Sequence, residues 1–173
     1  MSVTFLLGGA RSGKSSLAVE LARDWEGPVS VIATGEAGDE EMAERIRHHR
    51  AARPQDWQTI EEPLDLHAAL EQVPDAAAVV IDCISFWVAN VLARGDSTEN
   101  VETESQAVAA LASGRRSPTV VVSNEVGLGV VPVSELGRRY RDVLGRVNAH
   151  WAEIADEAAL VVAGRLLRLE KSL

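Results

Sequence analysis

"GGARSGKS", residues 8–15, decides how the rest of this chain is read. It fits G-x-x-x-x-G-K-[ST], and it lies where that pattern has physical meaning: after an apolar run, Val3–Leu7, and before a helical pattern that begins near Lys14. Gly8 and Gly13 permit a backbone path and a close approach that a Cβ forbids. Successive backbone N–H groups can then wrap a polyphosphate, with a helix N-terminus adding positive potential. Lys14 is expected to neutralise β- and γ-phosphate oxygens and Ser15 to ligate Mg²⁺. The bland reading is a glycine-rich turn that binds nothing, and the strand and helix context counts against it.

Working outward, four more apolar runs read as strands: Val29–Ala33, Ala78–Asp82, Thr119–Ser123 and Leu160–Ala163. Most are β-branched and do not alternate with polar residues, as expected for strands covered on both faces. A last strand is expected around Leu166–Leu169, near a sheet edge. Helical patterns lie between them at Lys14–Asp24, Asp39–Arg50, Leu64–Gln72, Ile84–Ala93, Glu102–Ala112 and Ser134–Glu157. This alternation predicts an α/β fold of the P-loop NTPase (RecA-like) type. Its three layers would be a mainly parallel sheet and flanking helices. "RGDSTEN" (94–100) and "ASGRRSPT" (112–119) read as connections, too short for domain linkers, so residues 1–173 are expected to form one catalytic domain.

Composition bounds the function. The chain has 173 residues, 46% of them hydrophobic, and a formal net charge of -9. That field disfavours nucleic acid and anionic membranes as partners, so an anionic ligand needs a local basic site. The one cysteine, Cys83, admits no intramolecular disulfide and reads as a small buried hydrophobe. No leader pattern and no apolar run of membrane-spanning length is present, and a cytoplasmic location is expected.

Two further groups stand out. Asp82 ends the run "AAAVVID", at the carboxyl end of a core strand, where a P-loop protein completes its Mg²⁺ shell. The same residue could instead cap the helix starting at Ile84. The second group is "RIRHHR", residues 45–50, which holds two of the four histidines. On a helix capped by Asp39 and ended near Pro54, Met42 and Ile46 define the inward face. His49 then turns toward the body, whereas His48 is rotated about 100° away. Arg45, His49 and Arg53 would form an i, i+4, i+8 stripe if the helix reached Arg53. Flanking guanidinium groups disfavour protonation of the imidazole, and a neutral imidazole is a nucleophile. Taken as spacing alone, a solvated basic helix face is the simpler account.

A P-loop does not by itself separate kinases from switches or ATPases. The chain lacks the N-K-x-D of switch GTPases and the L-S-G-G-Q of transporter ATPases. A compact kinase-like or transferase enzyme fits best. The alternatives are a P-loop kinase of another small molecule, without a covalent intermediate, and a nucleotide switch acting on a protein partner.

Four blocks resemble one family: "GGARSGKS", "VIATGEAGDEEMAERIRHHRAARPQDWQTIEEP", "VVIDCISFWVANVL" and "VVSNEVGLGVVPVSELGRRYRDVLGRVNAHWAEIADEAALVVAG". It is the bifunctional adenosylcobinamide kinase/adenosylcobinamide-phosphate guanylyltransferase family of cobalamin biosynthesis. The resemblance implies phosphorylation of adenosylcobinamide by ATP or GTP, then transfer of GMP from GTP to adenosylcobinamide phosphate through a guanylyl-histidine. It aligns the nucleophile with His49, and Lys14 is the second catalytic residue expected. It implies nucleotide contacts at Gly8, Gly9, Ala10, Arg11, Ser12, Gly13, Lys14 and Ser15. Further contacts fall at Ala33, Thr34, Gly35, Arg50, Ala51, Ala52, Arg53, Glu61 and Asp82, with Glu61 a candidate for guanine. Mg²⁺ is assigned to Ser15 and Asp82. Asn124 and Glu125 follow a core strand and are weighed as neighbours of the γ-phosphate or the corrinoid, against a plain turn. Trp57, Trp87 and Trp151 are read as core or interface residues and Trp25 as lying near a helix end, with none assigned to the corrinoid. The resemblance also implies a homo-oligomer, trimeric in members of this type. The ending "RLLRLEKSL" is shorter than the basic tail usual in the family.

Overall fold

Every apolar run becomes a strand of one seven-stranded sheet in the computed structural model, which describes residues 2–171. In chain order the elements are β1 (Val3–Gly8), α1 (Lys14–Arg23), β2 (Val29–Ala33), α2 (Glu40–Ala51), β3 (Gln58–Glu61), α3 (Leu66–Glu71) and β4 (Ala78–Asp82). They continue with α4 (Ile84–Arg94), α5 (Thr98–Gly114), β5 (Thr119–Asn124), α6 (Glu135–Ile154), β6 (Glu157–Val162) and β7 (Arg165–Leu169). The sheet order is β3-β2-β4-β5-β1-β6-β7, and every neighbouring pair is parallel except β6–β7. The termini of the expected domain, Met1, Ser172 and Leu173, lie outside the described residues.

The unbroken apolar runs follow from two cores. Val3, Phe5 and Leu7 of β1, with Val79 and Ile81 of β4 and Val121 of β5, face α3, α4, α5 and α6. Leu6, Val80, Val120 and Val122 face α1 through Ala18 and Ala22. Both faces of the central strands exclude water, so neither can be polar. Trp87 and Trp151 fill the larger core, donating their Nε1–H groups to Leu64 O (2.8 Å) and Ser105 Oγ (3.1 Å). Cys83 is buried as expected, and burial pushes its thiol up to about 11. Buried Arg115 donates to the carbonyls of Val73, Pro74 and Ala77 and so pins the approach to β4.

Several boundaries differ from the sequence reading. β3 has no counterpart there, because its four residues form an edge strand whose one large apolar side chain, Ile60, packs on the core; register with β2 makes it a strand. The polar stretch read as a connection at 94–100 holds a helix start, since Ser97 accepts from Asn100 N–H at 3.1 Å and α5 runs from Thr98 to Gly114. α6 stops at Ile154, not Glu157. Asp156 exchanges bonds with Val3, which begins the pairing of Glu157 with Thr4. Ala163 leaves the strand to form, with Gly164, a turn of positive φ (50° and 72°) that suits a tight hairpin.

Candidate active site

The P-loop is moulded against its neighbours. A Cβ at Gly8 would lie 2.3 Å from the carbonyl oxygen of Val161 in β6, so that position excludes any larger residue. Gly13 takes φ 101° at the start of α1. The β6–β7 turn braces the loop, with Gly164 N–H donating to Ser12 O at 2.9 Å. Lys14 is only 7% exposed and its Nζ donates to Gly9 O (2.7 Å) and Ser12 Oγ (3.4 Å). Burial lowers its pKa, with nearby Asp82 opposing.

Helix capping separates two helices from the rest. α2, α3, α5 and α6 start with side-chain caps from Asp39, Asp65, Ser97 and Ser134. α1 and α4 have none. Residues at both uncapped starts, Lys14 and Ser15 on one and Asp82 and Cys83 on the other, line the same cavity of about 470 Å³. Backbone donors left free at a helix N-terminus favour an anion.

Asp82 occupies the end of β4 and faces two ways. Its Oδ1 accepts from Ser15 Oγ at 3.2 Å. It does not cap α4, for Cys83 is the N-cap residue and makes no side-chain cap bond. Two hard oxygens at this spacing are close to the roughly 3 Å between adjacent ligands of an octahedron with Mg–O bonds of 2.0–2.1 Å. Among the described residues no group of three or more His, Cys, Asp or Glu forms a ready-made metal cage. A magnesium ion here would draw on these two side chains, phosphate oxygens and water.

The other face of Asp82 meets α2. This helix has no buried residue and overhangs the cavity, with half-buried Met42 and Ile46 among the lining residues. His49 Nδ1 lies 3.7 Å and Arg53 Nη2 3.8 Å from Asp82 Oδ2. The expected three-residue stripe is corrected: α2 ends at Ala51, and Arg53 arrives through the following turn, where its N–H donates to Arg50 O at 3.3 Å. The histidine's pKa is lowered, first by burial. Asp82 opposes this, while Arg45, Arg53 and His48 add to it. Thus the flanking cations act in the anticipated direction, but loss of solvent outweighs them. Arg45 is itself held over the Phe86 ring, 5.9 Å from its centroid.

Across the cavity stand Ala33, Gly35 and Glu61 at the carboxyl ends of β2 and β3. Arg50 Nη1 donates to Glu61 Oε1 at 3.0 Å. The structure therefore gathers Lys14, Ser15, Ala33, Gly35, His49, Arg50, Arg53, Glu61 and Asp82 around one space. Others stand apart from it. Thr34 is fully buried, its Oγ1 donating to Cys83 O (2.6 Å) and accepting from Cys83 N–H (2.9 Å). Ala51 and Ala52 at the end of α2, and Gly9, Ala10 and Arg11 of the P-loop, are exposed and are not among the residues lining the cavity. Asn124 lines the cavity, whereas Glu125 turns its carboxylate back to Gly127 N–H. Phe86 and Ile46 escaped the sequence reading as lining residues, because apolar residues in helices signal core and carry no mark of facing a cavity.

A strand–P-loop–helix unit, a carboxylate on a core strand separated from it by β5, and a cationic cavity at the carboxyl ends of the sheet define a P-loop nucleotide-binding protein. The chain belongs to the family described as cobinamide kinase / cobinamide phosphate guanyltransferase, which matches residues 4–169. It is 44% identical over 160 residues to the bifunctional adenosylcobalamin biosynthesis protein CobP of Pseudomonas aeruginosa, covering 92% of each chain. It is 40% identical over 173 aligned residues to the bifunctional adenosylcobalamin biosynthesis protein CobU of Escherichia coli, covering 91% of this chain and 93% of that one. Among solved structures, a prototypical ATPase from the type III secretion system of pathogenic bacteria superposes with a TM-score of 0.57 at 14% identity, over 92% of this chain and 50% of that one. That likeness is one of fold.

Proposed function

We propose that one catalytic domain, residues 1–173, carries both reactions of the family in this single cavity. In the first, a hydroxyl oxygen of adenosylcobinamide attacks the γ-phosphorus of ATP or GTP, the bond to the β,γ-bridging oxygen breaks, and a nucleoside diphosphate leaves. Lys14 and the free N–H groups of the P-loop hold the phosphates. Asp82 and Glu125 are the two candidates to take the hydroxyl proton, and the turn of Glu125 back to Gly127 N–H favours Asp82. Ser15 and Asp82 would hold a magnesium ion, which would supply charge neutralisation at the phosphates.

In the second reaction the imidazole of His49 attacks the α-phosphorus of GTP. A P–N bond forms, the bond to the α,β-bridging oxygen breaks, and pyrophosphate leaves. A phosphate oxygen of adenosylcobinamide phosphate then attacks the same phosphorus, the P–N bond breaks, and adenosylcobinamide-GDP is released with the histidine restored. Arg45, Arg50 and Arg53 favour the charge on the transferring and leaving phosphates. Glu61 suits the N–H groups of guanine, and Arg50 must yield it.

The observation that carries this reading is the two-sided Asp82, within 3.2 Å of the P-loop serine and 3.7 Å of His49. It explains how a kinase grip and a nucleophile share one nucleotide site. The test is labelling with α-³²P GTP and Mg²⁺. Wild type acquires an acid-labile, base-stable label, and His49→Ala does not. An unlabelled wild type that still binds GTP leaves a plain P-loop kinase, with the arginines as a clamp.

A homo-oligomer belongs to the same proposal. Leu128, Val130 and Val133, at 84%, 95% and 98% exposure, are the residues such an assembly would cover. No helix among the described residues is long and apolar enough to cross a membrane, and a cytoplasmic location accords with one buried thiol.

A further inference from the structure

The cavity wall formed by β2 and β3 is not held by the sheet alone. The β2–β3 ladder ends where Glu62 N–H donates to Ala33 O at 3.0 Å. Pro63 has no N–H and cannot extend it. Beyond that point the two chain segments are joined by a side chain from another element. Asn90 of α4 donates through Nδ2 to Thr34 O at 2.8 Å and to Pro63 O at 3.2 Å. An amide nitrogen has two hydrogens, and both are spent on these carbonyls. The residue one turn earlier, Phe86, lines the cavity under Arg45. Asn90 therefore ties α4, whose Phe86 underlies Arg45, to the cavity wall bearing Gly35 and Glu61.

We propose that Asn90 is a positioning residue for the base of GTP. By fixing Thr34 and Pro63 together it sets the distance between Gly35 and the carboxylate of Glu61, and so the discrimination in favour of guanine. This rests on reading Glu61 as the guanine contact. Asn90 touches no reacting atom and acts through the two strand ends. Removing its amide leaves two part-buried carbonyls without a donor and loosens the chain beyond the Glu62–Ala33 bond, so that the last ladder pair bearing Glu61 loses its support.

The test compares GTP with ITP, which lacks the 2-amino group of guanine, in single-turnover formation of the His49 adduct. In Asn90→Ala the half-saturating GTP concentration rises about tenfold while the maximal rate stays within about threefold, the size expected for one lost pair of positioning bonds. The preference for GTP over ITP falls to that of Glu61→Gln. The double variant is no worse than Glu61→Gln alone, because both changes act on one contact. Asn90→Asp, of the same shape but presenting oxygen to the two carbonyls, gives the same loss and serves if the alanine variant does not fold. An unchanged GTP-to-ITP preference in a folded variant, or additive effects in the double variant, overturns the proposal. Equilibrium binding of GTP and ITP reads the preference without any adduct. An enzyme that forms no adduct yet loses selectivity at Asn90 thus refutes the covalent mechanism and not this role.

Discussion

The two rims of the cavity are built by opposite means. α1 sinks Lys14, Ala18 and Ala22 into the protein, and its P-loop is wedged against β6 and braced by the β6–β7 turn. α2 buries nothing and is held by its edges: the Asp39 cap, Arg45 over Phe86, Arg50 on Glu61 and Arg53 beside Asp82. The phosphate grip is part of the core, whereas the histidine rides on a helix the core does not need. Function and stability should therefore be coupled on the first rim and separable on the second.

The largest expected effect breaks the rims apart by activity. Lys14→Ala should cost each reaction at least about 10³-fold, since each develops charge on phosphates that this lysine faces. His49→Ala should abolish the guanylyl adduct while γ-phosphoryl transfer stays within about threefold. Assays of both steps on both variants decide it, and loss of the kinase step in His49→Ala would merge the two rims. Denaturant unfolding gives the next contrast: Ala18→Leu, which overpacks the fully buried face of α1, should lose about 1–3 kcal/mol, and His49→Ala less than about 0.5 kcal/mol.

A pH profile sharpens the comparison on α2 itself. Protonation removes the lone pair that attacks phosphorus, and the His49 pKa is lowered, chiefly by burial. The adduct rate should thus persist below the usual histidine value of 6.5 and fall only as pH passes the lowered one. Arg45→Gln removes a cation that helps to depress it, so the acid limb should move to higher pH. The smallest effect is on helix order. Asp39→Ala removes the bond to Met42 N–H (2.8 Å) and should cost about 1 kcal/mol, seen as faster hydrogen exchange confined to α2.

Much of this was legible residue by residue. The P-loop carries its own context, the apolar runs mark the central strands, and the Met42–Ile46 face turns His49 inward. The misses share a cause. β3 is four residues with one large apolar side chain, and only pairing with β2 makes it a strand. The hydroxyl of Thr34 bonds the backbone of Cys83, a partner 49 positions away that no local pattern announces. Asn90 reads as a polar residue in an apolar helix, and nothing local says that it spans two loops.

By itself the sequence determined the glycine-rich loop between strand and helix, the alternation that makes an α/β sheet, and the helix face that turns His49 rather than His48 toward the body. Those depend on side-chain identity and on periodicities of two and 3.6 residues, which are local. Tertiary structure alone decided that Ser15, His49 and Arg53 converge on Asp82, and that Arg50 meets Glu61. Those contacts join residues 11 to 67 positions apart. They follow from the order β3-β2-β4-β5-β1, because parallel registration brings the carboxyl ends of these strands to one edge of the sheet.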